Sequence, residues 1–180
     1  YEAEHRAHGV TLMLGTVAKA FEGGARVEAV MTDKGRVEAD FMLVGVGVVP
    51  SVKLAQDAGL ACDNGIVVDE YTATSDPDIF AAGDCTNHPG FLGERLRLES
   101  VQNAIDQAKH AALAMLGRPT RYAEVPWFWS DQYDLKLQIA GLNQGYDTVI
   151  TRGDPTQGRA FAAFYLNARS EERRVGKECR

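Results

Sequence analysis

One continuous apolar run most constrains what this chain can fold into. Residues 41–44 are all apolar and lead directly into the sequence Gly-Val-Gly-Val-Val-Pro at residues 45–50. A strand without polar alternation is typical of burial on both faces, as in a parallel sheet covered by helices on each side. The run therefore predicts an α/β fold with this strand near the centre of a sheet.

Alternation and turn residues before this run predict further strands. Residues 10–14 and 17–21 are strand-like, and residues 26–32 alternate between apolar and polar side chains. The sequence Asp-Lys-Gly at residues 33–35 is typical of a hairpin turn, and it leads into residues 36–40. These patterns predict a small antiparallel meander.

Later elements are predicted by caps and by periodicity. Ser51 is a suitable N-cap for a short helix, and strands are expected at residues 66–68 and 78–82. Between Glu99 and Leu116, apolar residues recur at helical spacing, which predicts a long helix. The chain then becomes aromatic and rich in strand-forming residues, which indicates a domain boundary near Arg118.

Composition excludes several classes of function. The 19 Lys and Arg against 25 Asp and Glu give a net charge of −6, which argues against nucleic-acid binding and against an anionic membrane surface. No signal peptide and no membrane-spanning run is recognised. Cys62, Cys85 and Cys179 form no CxxC pair and no metal-ligand spacing with the four histidines. We therefore expect a cytoplasmic chain without a metal site or disulfide.

The end of the sequence differs from its body. Residues 169–180 carry five basic and three acidic residues without apolar periodicity. Most of this run resembles a translated sequencing-adapter sequence, so we interpret it as a non-native tail. A solvated C-terminal tail is the alternative.

A Gly-x-Gly sequence at Gly45, Val46 and Gly47 follows the apolar run. The third glycine of the GxGxxG dinucleotide fingerprint is absent, because residues 48–51 are Val-Val-Pro-Ser. The glycines fit either a tight turn or close approach to a nucleotide. Val46 and Gly47 are kept as candidate NAD-binding residues.

A second candidate site is formed by Gly83 and Asp84, which directly follow the predicted strand at residues 78–82. Such an ending lets the backbone approach a ligand, and one carboxylate can accept hydrogen bonds from two hydroxyl groups. Without further context, Asp84 would be a turn residue or a helix cap. Residues 74–84, however, resemble the second flavin motif of flavoprotein reductases with two dinucleotide-binding folds, which implies that Gly83 and Asp84 bind FAD, with Asp84 at the ribityl chain.

The start of the long helix is a third candidate. Glu99, Ser100, Val101 and Gln102 lie where unpaired N–H groups and the helix dipole favour negative charge. Reduced flavin develops such charge at N1 and the C2 carbonyl, so these four residues are predicted to contact FAD. An ordinary helix start capped by Ser100 is compatible with this interpretation.

An aromatic cluster at residues 125–133 completes the pattern. Trp127 and Trp129 are expected on one face of a strand, and such a cluster alone would indicate core or interface. The stretch resembles the start of the C-terminal domain in ferredoxin and rubredoxin reductases of the putidaredoxin reductase type. Four motifs in family order carry this resemblance over residues 1–168. It implies that Trp127 lies beside the flavin and that Trp129 faces the electron-transfer partner.

The resemblance implies a fold class and a domain division. The chain would be an α/β fragment of a flavoprotein with two Rossmann-like dinucleotide-binding domains, followed by a partial α+β C-terminal domain. Residues 1–50 would end the NAD-binding domain, residues 51–117 would belong to the FAD-binding domain, and residues 118–168 to the C-terminal domain. The first FAD fingerprint and the NAD fingerprint are absent from this sequence, so we expect an interior fragment of a longer protein.

The resemblance also implies a function, that of an NAD(P)H:ferredoxin reductase. FAD would pass electrons from NAD(P)H to an iron–sulfur ferredoxin, or a rubredoxin, that serves an oxygenase. The flavin supplies the redox chemistry, so no acid–base pair is expected, and the fragment alone is expected to be inactive. The lack of CxxC argues against a disulfide reductase. The alternatives are a flavoprotein with an NADH-sensing or signalling role, similar to apoptosis-inducing factor, or another pyridine-nucleotide oxidoreductase without a redox CxxC.

Overall fold

The computed structural model describes residues 1–167, which divide into two units, Tyr1–Val48 and a second that begins at Val49. The predicted non-native tail, residues 169–180, lies outside the described residues. No helix within residues 1–167 combines the length and the apolar character needed to span a bilayer.

The first unit holds one helix and the predicted meander. Helix α1 (Glu2–Ala7) precedes three strands, β1 (Ala18–Glu22), β2 (Ala29–Thr32) and β3 (Gly35–Glu38), which pair antiparallel in the order β1-β2-β3. Thr32 pairs with Gly35, so the hairpin closes through two residues. The turn and the meander predicted from the sequence are confirmed.

The predicted central strand is wrong for this structure. Residues 41–50 form no strand, and the side chains of Leu43 and Val46 are 91% and 90% exposed. A strand needs a neighbour for its backbone groups, and burial on both faces needs layers above and below. Residues 1–167 supply neither at this position. Residues 10–14 lack a strand in the same way.

The second unit begins with a short helix and a small mixed sheet. Helix α2 (Lys53–Asp57) follows Val52 as its N-cap, one residue after the predicted Ser51. Strand β4 (Ile66–Val67) pairs parallel with β5 (Thr86–Pro89), and β5 pairs antiparallel with β6 (Arg95–Leu96). The guanidinium of Arg95 donates to Asn87 Oδ1 at 2.9 Å and to Val68 O at 3.0 Å, and so joins the ends of β4 and β5.

The long helix forms as predicted. Helix α3 (Val101–Met115) is capped by Ser100, whose Oγ accepts a hydrogen bond from Asn103 N at 3.2 Å. Its buried residues are Asn103, Gln107 and Ala111, so the face that packs inward is largely polar. Those polar groups require partners inside the unit.

Four strands follow the helix, as the composition predicts. Strands β7 (Trp127–Gln132) and β8 (Leu135–Ala140) form one antiparallel hairpin, and β9 (Thr148–Arg152) pairs antiparallel with β10 (Ala162–Leu166). The first hairpin turns through Tyr133, whose φ of 57° lies in the left-handed region.

Candidate functional site

A tight turn carries the first predicted site residues. Thr86 N donates to Gly83 O at 3.0 Å, which closes a four-residue turn with Asp84 at its second position. Gly83 has a φ of 92°, a conformation that disfavours any residue with a Cβ. The preceding residues 78–82 are not the predicted strand, because only an isolated bridge between Ala73 and Phe80 pairs them.

A buried glutamine fixes this turn to helix α3. Gln107 Oε1 accepts hydrogen bonds from Gly83 N at 2.7 Å and from Thr86 Oγ1 at 2.8 Å. The Gln107 side chain is completely buried. Gln107 was not predicted as a site residue, although a polar side chain on an inward helix face was a usable signal.

Asp84 presents its carboxylate at the surface of the turn. The residue is exposed, and none of residues 1–167 hydrogen-bonds its carboxylate. Its backbone oxygen accepts a hydrogen bond from Arg97 at 3.4 Å. The carboxylate is therefore available to accept hydrogen bonds from a ligand.

Arg97 links this turn to the residues that precede helix α3. Its guanidinium donates to Glu99 Oε1 at 2.6 Å and to Asn64 Oδ1 at 3.2 Å, as well as to the Asp84 backbone. Because Arg97 pairs with Glu99, the predicted FAD-binding carboxylate of Glu99 is already engaged and its charge is offset. Arg97 was not predicted as a site residue, since no local sequence pattern indicates a cation that bridges three segments.

The first turn of helix α3 leaves two donors open. Ser100 caps the amide of Asn103, whereas no group among residues 1–167 accepts a hydrogen bond from the amides of Val101 and Gln102. These amides lie at the positive end of a 15-residue helix. They could donate to a polar or negatively charged ligand.

Gln102 brings the aromatic strand to this helix end. Its Oε1 accepts a hydrogen bond from Trp127 N at 3.2 Å, and its Nε2 donates to Asp106 Oδ2 at 2.8 Å. The pKa of the Asp106 carboxyl is lowered, most strongly by the hydrogen bond from Lys109 and next by the hydrogen bond from Gln102. Strand β7 therefore begins beside the open amides of helix α3.

The two tryptophans of β7 share one face, as predicted. Their ring centroids lie 5.0 Å apart and their planes are inclined by 26°, which is a stacked arrangement. Trp127 is 39% exposed and Trp129 is 38% exposed, so neither belongs to a buried core of the described residues. The stack forms a flat apolar surface that a planar ring or a partner protein can contact.

A buried polar cluster around Asn103 lies on the same inward face of helix α3 as Gln107. Tyr122 OH donates to Asn103 Oδ1 at 2.9 Å, and Asn103 Nδ2 donates to Leu98 O at 3.1 Å. The ring of Tyr122 lies edge-on to His88 and His110, with centroids 5.2 Å and 5.4 Å away. Burial raises the pKa of Tyr122 to about 12 and lowers the pKa of His88.

The predicted site residues fall in different units. Gly83, Asp84 and Trp127 lie in the second unit, together with the start of helix α3. Val46 and Gly47 lie in the first unit, in a segment without regular structure where Gly47 has a φ of 98°. Their role in NAD binding stays a prediction. No metal-binding group of three His, Cys, Asp or Glu side chains occurs within residues 1–167.

The chemistry of the second unit fits a flavin with its ribityl chain. An acceptor carboxylate suits the ribityl hydroxyls, and open helix amides suit the carbonyl and N1 edge of the ring. Strand β7, which carries the flat aromatic surface, is hydrogen-bonded through Trp127 N to Gln102 in the first turn of the same helix. A glycine turn next to the open end of a helix is typical of α/β proteins that bind a nucleotide cofactor.

Comparison with known proteins identifies the family. This chain belongs to the pyridine nucleotide-disulphide oxidoreductase family, whose sequence profile matches residues 1–108. A second profile, described as reductase C-terminal, matches residues 127–177. That second match extends into the predicted non-native tail.

Several similar curated proteins and solved structures are named as reductases. Rhodocoxin reductase of Rhodococcus erythropolis is 48% identical over 168 residues, which cover 91% of this chain and 39% of the relative. Putidaredoxin reductase CamA of Pseudomonas putida is 44% identical over 171 residues, covering 92% and 40%. The crystal structure of the covalent putidaredoxin reductase–putidaredoxin complex matches with a TM-score of 0.87 and 42% identity, over 93% of this chain and 41% of that chain.

These matches confirm the predicted family resemblance and the predicted fold class, an α/β part of a reductase with two dinucleotide-binding domains. The chain spans about two fifths of the length of the curated relatives it matches. The names of these relatives do not favour the signalling alternative. The domain boundaries and the site residues remain predictions.

Proposed function

We propose that this chain carries the flavin-facing part of an NAD(P)H-dependent FAD ferredoxin reductase. The complete protein would transfer electrons from NAD(P)H to an iron–sulfur ferredoxin, or a rubredoxin, that serves an oxygenase. Support comes from the relatives, two of which are named rhodocoxin reductase and putidaredoxin reductase. A similar reductase is solved in covalent complex with its partner putidaredoxin.

The observation that carries the proposal is the free Asp84 carboxylate on a turn joined to helix α3. Asp84 would accept hydrogen bonds from the ribityl hydroxyls, with Gly83 allowing the close approach of the turn. The amides of Val101 and Gln102 would donate to the ring edge where negative charge develops. FAD held by these residues would supply the redox chemistry between a two-electron donor and a one-electron acceptor.

The remaining residues of the site orient the cofactor and the partner. Trp127 would lie along the isoalloxazine ring, and Gln102 would hold the Trp127 backbone beside helix α3. The ion pair with Arg97 offsets the charge of Glu99, which limits its repulsion of a negatively charged ring. Trp129 would extend the aromatic surface toward the iron–sulfur partner.

The proposal includes a division of the chain. Residues 1–50 would complete the NAD-binding domain, with Val46 and Gly47 at the nucleotide. Residues 51–117 would complete the FAD-binding domain, and residues 118–168 would begin the C-terminal domain. A cytoplasmic location suits an NAD(P)H-dependent activity, and the thiols of Cys62 and Cys85 are free.

The test is electron transfer by the longer protein that contains this chain. Purified with FAD, it should reduce a [2Fe–2S] ferredoxin with NADH or NADPH, and ferricyanide should serve as a control acceptor. Ferredoxin reduction at a rate comparable to that of ferricyanide supports the proposal. Ferricyanide reduction without reduction of any ferredoxin or rubredoxin supplied would instead favour a sensing role.

A further inference from the structure

Gln107 joins the two structural parts of the candidate flavin site. One part is the Gly83–Thr86 turn that carries Asp84, and the other is the first turn of helix α3. Gln107 lies on α3 and is completely buried, and its Oε1 contacts both ends of the turn. Among the described residues, Gln107 is the only residue of helix α3 whose side chain accepts a hydrogen bond from the Gly83 amide.

The orientation of the Gln107 amide follows from its neighbours. The backbone N–H of Gly83 can only donate, so the side-chain atom 2.7 Å from it must be the oxygen. The Thr86 hydroxyl lies 2.8 Å from both Gln107 Oε1 and Gly83 O, and its single proton is shared between these acceptors. The turn is thus held at its first and its last residue.

Because Gln107 lies on helix α3, its hydrogen bonds to the turn also fix where the turn lies relative to the start of that helix. Helix α3 is a rigid element, so a fixed distance from Gln107 to the turn also fixes the turn relative to the amides of Val101 and Gln102. Asp84 and these amides would contact different parts of one cofactor. Their relative placement therefore decides whether all of them can bind it at once.

Gln107 holds the turn although its own amide donor is unpaired. Its Nε2 atom is buried and has no hydrogen-bond partner among residues 1–167. A buried donor without a partner is unfavourable, and an apolar side chain would remove it but would leave the buried Gly83 amide without its acceptor. The residue is nevertheless a glutamine, with its oxygen directed at the turn.

We propose that Gln107 is a positioning residue for the cofactor, which sets the Asp84 turn at the correct distance from the open end of helix α3. This inference rests on the proposed function, because it takes Asp84 and the helix amides to bind FAD. Gln107 itself does not touch the cofactor. It acts through Gly83 and Thr86.

The experiment uses the complete protein in its apo form. Gln107→Leu removes the acceptor, Gln107→Glu keeps an acceptor oxygen, and Thr86→Val removes only the shared hydroxyl. Tyr122→Phe is the matched control, because it removes a buried hydrogen bond to Asn103 of the same helix without touching the turn. Each variant is also combined with Asp84→Ala. The readouts are the FAD dissociation constant and hydrogen exchange at the Gly83 amide.

Gln107→Leu should weaken FAD binding by about 5- to 100-fold and speed exchange at Gly83 in the apoprotein. Thr86→Val should act in the same direction but less strongly. Gln107→Glu should keep most of the affinity, since a carboxyl oxygen can accept from Gly83 N and Thr86 Oγ1 as the amide oxygen does. In the Asp84→Ala background, Gln107→Leu should reduce the FAD affinity much less than it does in the parent. The reason is that both substitutions impair the same contact between the Asp84 turn and the cofactor.

Three results would overturn the inference. The first is that Gln107→Leu weakens FAD binding as much in the Asp84→Ala background as in the parent. The second is that Tyr122→Phe weakens FAD binding as much as Gln107→Leu does. The third is that Gln107→Leu leaves hydrogen exchange at the Gly83 amide unchanged. Should Gln107→Leu not fold, the same comparisons with Thr86→Val decide the matter. Failure of the proposed function is distinguishable, because Asp84→Ala alone would then bind FAD as tightly as the parent.

Discussion

The indole rings of Trp127 and Trp129 stack with their centroids 5.0 Å apart, and both rings remain partly exposed. The backbone amide of Trp127 is held by Gln102 at the start of helix α3. The strand that carries the stack is therefore joined to the helix end that forms part of the candidate flavin site. The other ring, that of Trp129, is 38% exposed, and under the proposed function it would contact the partner protein.

Replacing Trp129 with alanine in the complete protein should impair transfer to the ferredoxin. Loss of an aromatic interface anchor should lower the rate of ferredoxin reduction by about tenfold or more. Turnover with ferricyanide and the melting temperature should hold, because Trp129 is not buried. Phe128→Ala, on the opposite face of β7, is the control. Parallel loss of both activities, with a stability decrease of about 3–5 kcal/mol, would show a core role instead.

Tyr122 should make the protein sensitive to alkaline pH. Its pKa is raised to about 12 in the folded state, above its ordinary value, because burial disfavours the phenolate. The unfolded chain releases this proton first, so its stabilising effect is complete below about pH 10 and is lost as pH rises toward 12. The free energy of unfolding should fall by about 1.4 kcal/mol per pH unit in that window from this group alone.

Tyr122→Phe isolates this contribution, because it removes the titrating hydroxyl and keeps the ring. Denaturant unfolding at several pH values should show a shallower alkaline decline in this variant than in the parent. Identical declines would mean that Tyr122 titrates normally in the folded protein.

The 180 residues expressed alone should neither retain FAD stoichiometrically nor oxidise NADH. The reason is that this sequence has no complete phosphate-binding glycine loop to hold either nucleotide. Visible absorbance after incubation with FAD and desalting measures retention, and the complete protein serves as the positive control. A yellow preparation that oxidises NADH would contradict the expectation.

The elements that the sequence predicted correctly are those with local signals. Helix α3 has apolar spacing, the Ser100 cap and Gly117 after its end, while the β2–β3 hairpin has a two-residue turn. The predicted strands at residues 41–44 and 78–82 failed because a strand also needs distant partners. An apolar run predicts burial, but it does not supply the neighbouring strand and the covering layers that burial requires.

The candidate site was predicted through its surface residues and not through its supports. Asp84 and Trp127 lie in recognisable motifs. Gln107 and Arg97 form hydrogen bonds with residues far away in sequence. Gln107 accepts one from Gly83, and Arg97 donates one to Asn64. A polar residue on the inward face of helix α3 is visible in the sequence, but its distant partner is not, so the structure is needed to identify these hydrogen bonds.

The most direct test is the affinity of the complete apoprotein for FAD after Asp84→Ala, with Asp78→Ala as a matched control on an exposed carboxylate six residues earlier. Loss of a charged hydrogen-bond acceptor for the ribityl hydroxyls should cost about 1.5–3 kcal/mol, which corresponds to a dissociation constant about 10- to 150-fold higher. Asp78→Ala should bind FAD as the parent does. Asp84→Ala protein that binds FAD with unchanged affinity would contradict the assignment of this turn to the flavin.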